Sequence, residues 1–300
     1  MKIKIYPTVS PTSVLEQAQF LAETVGGSVA TQIQPESVDV AVLFGPPNQV
    51  MDQINKVVSS RRKICYWVVE GILTKYGRHV ARTSGCEISV VPSLAVKQYM
   101  EESDVFIDLI IPHEVRVPIP QPKEVKKMGV YIGGNYPRKF TNWALETLKL
   151  VKLAVDAYYR AEIPDVYAQP FNTVLENHGV KRLDRMSKSE LVELMSSYSA
   201  FVSLSAGEGF GLFQREALAL GMNLVTVEHP AFWDILSHPC VYTVRPTARV
   251  FVNSNRNDVF EEFIMWNPSE FSEVVFKAIE NKCTSPLKYE AHYRKFRAFI

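Results

Sequence analysis

The regular alternation of short apolar runs with longer segments of helical periodicity constrains the fold most strongly. The apolar runs predict strands at residues 2–6, 38–44, 63–69, 87–91, 105–111, 129–132, 165–168, 200–204, 223–227 and 240–244. The segments between and after them predict helices at 13–24, 49–59, 95–102, 141–159, 189–198, 213–220, 268–280 and 287–300. Several runs are apolar at consecutive positions, which is typical of strands buried on both faces of a parallel sheet. The pattern therefore predicts a doubly wound α/β fold.

A proline-rich segment divides the chain. Residues 111–127 contain Pro112, Pro118, Pro120 and Pro122, and such a density of proline cannot continue a helix or a central strand. We interpret the segment as a linker between a Rossmann-like domain at 1–120 and a second one at 121–300. The last helix could pack back on the first domain. A long loop within a single sheet is the alternative interpretation.

Composition excludes several classes of protein. Lys plus Arg is 33 and Asp plus Glu is 32, a net charge of +1, so bulk charge gives no argument for a nucleic-acid partner. No apolar run reaches the ~18–20 residues of a membrane span, and the N-terminus lacks the pattern of a secretory signal. The four cysteines form no CxxC pair and are expected to be free, buried side chains. We therefore expect a cytoplasmic protein, and its basic clusters leave peripheral contact with an anionic membrane open.

Two glutamates bracket a glycine-containing loop in the stretch SAGEGFGLFQREALALG, residues 205–221. The stretch follows a predicted strand and opens a helix, so it lies where ligands bind in open α/β sheets. Gly209 and Gly211 let the backbone approach a ligand closely, and the free N–H groups at the helix start suit a phosphate. Glu208 and Glu216 would then bind hydroxyl groups on either side of it. Alternatively, the two carboxylates only stabilise the start of the helix through its dipole, an interpretation that leaves the glycines unexplained.

The segment EGFGLFQREALALG resembles the E-x7-E motif of retaining glycosyltransferases of the group 1, glycogen-synthase-like family, which have the two-domain GT-B fold. The resemblance covers roughly residues 85–245 and is strongest over 187–236. It implies two Rossmann-like domains facing a cleft. It also implies transfer of a sugar, with retention of configuration, from a UDP- or GDP-sugar to a hydroxyl of a glycan, lipid-linked or protein acceptor. No metal and no other cofactor is obligatory in the family, and closure of the domains would exclude water.

The resemblance assigns roles to particular positions. Glu216 would bind the nucleotide ribose, and Glu208 would contact the donor sugar. Lys139, with Arg138, would neutralise the departing diphosphate, although the two cations could also be a solvated pair. The backbone amides that would face the sugar and the diphosphate are those of Gly209, Phe210, Gly211 and Leu212.

The chain departs from the family pattern at three places. Gly133 stands where the family commonly has an arginine, and Glu70 stands where it often has a histidine. The glycine-rich first loop is replaced by a stretch that includes Ser10 and Thr12, whose hydroxyls could contact phosphate or acceptor; Thr12 is equally suited to cap the following helix. Glu70 and His113 are further candidates for the acceptor side, with an exposed glutamate and a plain loop histidine as the alternatives.

Three alternative functions are weighed against sugar transfer. The loss of the usual arginine and histidine favours a catalytically inactive module that binds a sugar nucleotide or a partner. A sugar-nucleotide epimerase of the same architecture would need further acid and base groups at the cleft. A dinucleotide-dependent oxidoreductase is disfavoured, because the first strand is not followed by G-x-G-x-x-G.

Overall fold

The computed structural model of the chain describes residues 1–9, 12–30, 32–120, 124–184, 186–253, 257–288 and 291–300. The first half contains β1 (Ile3–Pro7), α1 (Thr12–Val25), β2 (Ser28–Val29), β3 (Glu36–Gly45), α2 (Gln49–Val57), β4 (Val58–Trp67), β5 (Gly71–Leu73), α3 (Lys75–Thr83), β6 (Ile88–Val91), α4 (Leu94–Glu101) and β7 (Leu109–Ile110). All six strands of the first sheet are parallel, in the order β2-β1-β3-β4-β6-β7. Ile64, Tyr66 and Trp67 of β4 are fully buried, as expected for a strand covered on both faces.

The second half contains β8 (Lys126–Gly134), α5 (Asn142–Val151), β9 (Val155–Arg160), α6 (Asp165–Asn177), β10 (Lys181–Leu183), α7 (Lys188–Met195), β11 (Tyr198–Val202), α8 (Leu212–Ala219), β12 (Asn223–Val227), the 3-10 helix Pro230–Phe232, β13 (Val241–Val244), β14 (Ala248–Val252), β15 (Val259–Met265), α9 (Pro268–Glu280) and the 3-10 helix His292–Ala298. A second parallel sheet has the order β10-β9-β8-β11-β12-β13. The two parallel sheets lie on either side of the predicted boundary at 120/121, which itself stays a prediction.

A third, antiparallel sheet joins the two halves, in the order β14-β15-β5. Its β5 comes from the first half, and the backbone N–H of Glu262 on β15 donates to the carbonyl of Glu70 at 3.0 Å. Gly71 has no room for a side chain, because a Cβ there would overlap the Phe260 carbonyl. The two halves therefore share main-chain hydrogen bonds beside the loop that carries Glu208.

The C-terminal segment packs against the first half. The hydroxyl of Tyr293 donates to Gln17 on α1 at 2.8 Å, and Arg297 donates to the carbonyl of Thr24 at 2.9 Å. Over residues 292–298 this segment is a 3-10 helix, where the sequence predicts a longer helix.

Two predicted elements in the second half are wrong. The stretch 165–168, predicted as a strand, begins helix α6, in which Ala168, Asn172 and Leu175 are buried. That spacing is one face of a helix, and a four-residue window was too short to show it. The helix predicted at 141–159 ends at Val151, and β9 follows with buried and partly buried positions alternating from Val155. This alternation is the period of a strand.

The prediction of four free cysteines is also wrong. Cys65 is bonded to Cys86, and Cys240 to Cys283. Each cysteine lies far from its partner in sequence, so spacing carried no signal of the pairing. Disulfides persist mainly in oxidising compartments, so the cysteines do not support the expected cytoplasmic location. Among the described residues, no helix is both long and apolar enough to cross a membrane.

Candidate functional site

The loop that connects β11 to α8, residues 203–211, lies at the carboxyl end of the second parallel sheet. Gly211 is the N-cap of α8 with φ +78°, and a Cβ there would lie 2.5 Å from the Phe232 ring. Gly221 follows the end of α8 with φ +77°, the left-handed conformation that favours glycine just after a helix. Both glycines are therefore required by the turn into and out of this helix.

Gly209 brings the loop against the first half of the chain. A Cβ at Gly209 would lie 2.6 Å from the Val69 carbonyl oxygen. The Ser93 hydroxyl, at the N-cap of α4, donates to the Gly209 carbonyl. The close approach expected of this glycine is thus made to the protein itself, and it fixes the loop at the junction of the two halves.

Glu208 and Lys139 form a buried ion pair. Lys139 Nζ contacts Glu208 Oε1 and donates to the Ser205 hydroxyl at 2.9 Å. Gln214 Nε2 donates to the same carboxylate at 3.3 Å. Burial would raise the pKa of Glu208, but the positive charges of Lys139 and Arg138 outweigh it and hold the pKa at about 2. Burial lowers the pKa of Lys139 even though Glu208 opposes it. The site therefore holds the ionised carboxylate of Glu208 beside Lys139, whose charged form burial disfavours.

Arg138 links the two halves at the same loop. Its guanidinium donates to Glu70 Oε1 at 2.7 Å and to the Gly207 carbonyl at 2.8 Å. Glu70 immediately precedes β5 of the shared sheet. The structure thus brings together four predicted site residues from separate parts of the sequence: Glu70, Arg138, Lys139 and Glu208.

Glu216 lies on the buried side of α8, 3% exposed, and its Oε1 pairs with Lys188. Its Oε2 is buried with no hydrogen-bond partner among the described residues. Burial raises the pKa of Glu216, and Lys188 acts against that rise. A buried acceptor without a donor is costly, so a ligand hydroxyl would satisfy it. Lys188, at the start of α7, was not predicted as a site residue, since in sequence it belonged to a basic cluster typical of a solvated surface.

The predicted acceptor-side residues have different outcomes. His113 is 5% exposed, and its Nδ1 lies 2.9 Å from the Tyr293 hydroxyl and 3.1 Å from that of Tyr66. Its ring also meets Phe210 edge to face, with centroids 5.0 Å apart. His113 therefore packs beneath the loop, inside the protein. Ser10 and the side chain of Thr12 lie outside the described residues.

Gly133, which replaces the arginine usual in the family, has little space around it. A Cβ there would lie 2.9 Å from the Tyr131 hydroxyl and 3.2 Å from Cβ of Lys139. An arginine could occupy this position only if its neighbours moved. In the described chain, no three or more His, Cys, Asp or Glu residues are grouped so that they could hold a metal ion.

Arg215, which was not predicted as a site residue, is fully buried behind the loop. It contacts the carbonyls of Phe210 and Gly211 and pairs with Asp234. The available signal was a run of three polar residues, Gln214, Arg215 and Glu216, within a short helix whose other residues are apolar.

The two parallel sheets, with the loop that carries Glu208 at their junction, define a two-domain Rossmann-like protein with the GT-B fold. No family model and no curated protein matches the sequence. Among solved structures, the chain is similar to the sucrose-phosphate synthase of Thermosynechococcus elongatus, with a TM-score of 0.67 and 10% identity over 99% of this chain and 94% of that one. At this identity the likeness establishes the fold, and the predicted fold class is confirmed.

Two further structures share the fold. WaaG, a glycosyltransferase involved in lipopolysaccharide biosynthesis, has a TM-score of 0.61 at 10% identity, over 99% of this chain and 95% of that one. S. aureus TarM, in complex with Fondaparinux, alpha-GlcNAc-glycerol and UDP, has a TM-score of 0.55 at 15% identity, over 87% of this chain. The present chain spans about half of the TarM chains it matches, 54% and 50% of their length.

Proposed function

We propose that the chain transfers a sugar from a nucleoside diphosphate sugar to an acceptor hydroxyl, with retention of anomeric configuration and without a metal ion. The observation that carries the proposal is the arrangement around one loop. Glu216 offers a buried, unpaired carboxylate oxygen at one end, and Glu208 with Lys139 and Arg138 forms the charged end. Loop amides and the start of α8 lie between them. The fold, shared with WaaG and with the UDP-bound TarM, supports it.

In this proposal the ribose of the donor binds Glu216, and the diphosphate lies along the amides of residues 209–212. Lys139 leaves Glu208 when the diphosphate arrives, because two phosphate groups offer more negative charge than one carboxylate. Glu208 is then free to accept hydrogen bonds from the donor sugar. Arg138 and Lys139 stabilise the charge that develops on the leaving diphosphate. Such electrostatic stabilisation usually makes a large contribution to the rate enhancement.

Retention would follow from attack on the face from which the diphosphate departs. In the proposed geometry the leaving phosphate takes the acceptor proton, so no protein carboxylate has to act as a covalent nucleophile. Positioning of donor and acceptor together with electrostatic stabilisation carries the reaction.

A binding screen and a product assay test the proposal. UDP, GDP and their sugars are screened by thermal shift, because a donor at ~100 times its Kd adds roughly 2.7 kcal/mol to stability. Glu216→Gln should abolish the shift, whereas Glu280→Gln, which alters an exposed glutamate at the end of α9, should preserve it. Absence of any shift with all donors would overturn the proposal.

The product assay separates transfer from binding alone. Wild type with the cognate donor and a hydroxyl acceptor should release nucleoside diphosphate, and NMR of the product should show the donor's anomeric configuration. EDTA should leave the rate unchanged. Tight donor binding with no release would instead support the inactive binding module, and an inverted product would exclude the retaining mechanism.

A further inference from the structure

The buried guanidinium of Arg215 holds the loop between Glu208 and α8 from behind. Its Nη1 donates to the carbonyl of Phe210 and lies 3.4 Å from that of Gly211, and its Nη2 donates to the carbonyl of Ala231 at 2.9 Å. Its Nη2 also pairs with Asp234, whose side chain is 23% exposed. Arg215 is fully buried, and it contacts three main-chain carbonyls as well as both carboxylate oxygens of Asp234.

A second contact fixes the side chain of the loop. The guanidinium carbon of Arg215 lies 3.7 Å from the centre of the Phe210 ring, a cation–π distance. The same ring also meets His113 edge to face. Burial, together with the positive charge of Arg215, lowers the pKa of His113 to about 3, so His113 is neutral and does not repel the guanidinium.

The direction of the carbonyls determines the direction of the amides. The peptide unit is planar and trans here, so a carbonyl and the N–H of the next residue point in opposite directions. Because the Phe210 and Gly211 carbonyls point toward Arg215, the N–H groups of Gly211 and Leu212 point away from it. These two amides belong to the set that would bind the diphosphate.

We propose that Arg215 is a positioning residue that orients the Gly211 and Leu212 amides toward the diphosphate of the donor. The inference deepens the proposed function and rests on it. It also accounts for a buried charge on a helix face where an apolar residue would pack at no electrostatic cost. Arg215 contacts the carbonyls and the ring rather than the donor.

The test compares a nucleoside diphosphate with its nucleoside. UDP or GDP, whichever binds wild type more tightly, is titrated by calorimetry, and uridine or guanosine by NMR. Arg215→Met should weaken the diphosphate about tenfold to hundredfold, as expected when hydrogen bonds to a charged group are misaligned. The nucleoside affinity should stay within about twofold, because Glu216 and its ribose contact are retained.

Three further variants distinguish a specific effect of Arg215 from misfolding. Arg215→Met combined with Asp234→Asn removes both charges, so no carboxylate is left unpaired, and it should show the same selective loss. Arg215→Lys keeps the charge, but its compact ammonium lacks the planar fork with which the guanidinium reaches three carbonyls and Asp234 together. It should therefore recover only part of the affinity. Arg61→Met, at an 89% exposed side chain, should leave both affinities unchanged.

The outcomes separate the inference from the proposed function. If wild type binds neither UDP nor GDP, the proposed function fails and the inference fails with it. If wild type binds a diphosphate but the Met variants lose affinity for nucleoside and diphosphate equally, Arg215 has only a structural role. The same conclusion follows if the Met variants lose affinity for neither ligand. Full affinity in Arg215→Lys would show that charge, and not the orientation of the amides, is what matters.

Discussion

Replacing Lys139 by methionine is the most informative change to the site, because it leaves the Glu208 carboxylate buried without its main partner. Glu208 is 9% exposed and its pKa is about 2, against an ordinary value of 4.5. Burial opposes ionisation there, and Lys139 is the largest influence that favours it. Without Lys139, we expect the pKa of Glu208 to rise above 4.5.

The size of the effect follows from the pKa. A fall from 4.5 to about 2 corresponds to about 3 kcal/mol, at 1.36 kcal/mol for each pKa unit. Breaking a buried ion pair by removing one partner typically costs ~3–5 kcal/mol. Burial also lowers the pKa of Lys139, so its removal takes away a cost, and we expect Lys139→Met to lose at most about 3 kcal/mol at pH 7. For a chain of 300 residues this lowers Tm by at most about 5 °C.

The direction of the pH dependence shows whether the ionised Glu208 carboxylate causes the loss of stability. In wild type, a lowered pKa contributes stability that is present above pH 4.5 and is lost as the pH falls toward 2. In the variant, the raised pKa makes the carboxylate costly at neutral pH, and protonation relieves that cost. The difference in Tm between wild type and variant should therefore be largest near pH 7 and shrink toward pH 4.

Thermal unfolding followed by circular dichroism between pH 4 and 8 measures this difference. The matched control is Lys149→Met, since Lys149 and its partner Glu146 are 69% and 58% exposed and such pairs contribute ~0–1 kcal/mol. Adding Glu208→Gln to the Lys139 variant should remove the pH dependence. A constant difference across the pH range, or one no larger than that of Lys149→Met, would refute the reasoning.

Three further predictions concern other parts of the molecule. Nucleotide affinity should fall as the pH is lowered, with a midpoint above pH 4.5, because burial raises the pKa of Glu216. Lys188→Met should move the midpoint of this fall to a higher pH, because Lys188 opposes the rise in that pKa. Calorimetric titration from pH 5 to 8 measures both. Reduction of the Cys240–Cys283 bond, which spans 43 residues, should cost about 4 kcal/mol and lower Tm by about 6 °C, with an unchanged Tm in reductant contradicting this. Gly71→Val should break the sheet shared by the two halves, so Tm should fall and the radius of gyration from small-angle scattering should rise; an unaltered scattering profile would mean that this sheet does not hold the halves together.

Local sequence patterns predicted the central strands of both parallel sheets and the loop, whereas the outer strands β2, β9 and β10 were not predicted. The strand at 223–227 was predicted with the observed bounds, since its five residues are buried without interruption and follow a glycine that ends a helix. The motif from Glu208 to Glu216 is contiguous, so its strand, turn and helix could be recognised together. Lys139 was found only through a resemblance, because its contact with Glu208 spans 69 residues.

Features that depend on distant pairing could not be predicted. Strand β5 has three residues and acquires its partner, β15, from the other half of the chain, so no local pattern marks it. The disulfides depend on which strands become neighbours. The role of Arg215 depends on the direction of three carbonyls, which only the folded backbone defines.

A co-crystal structure with UDP or GDP tests the central claim most directly. The account predicts the ribose hydroxyls on Glu216 Oε2, the diphosphate on the amides of residues 209–212, and Lys139 moved from Glu208 to a phosphate oxygen. A nucleotide bound elsewhere, or Lys139 still paired with Glu208 beside a bound diphosphate, would contradict it.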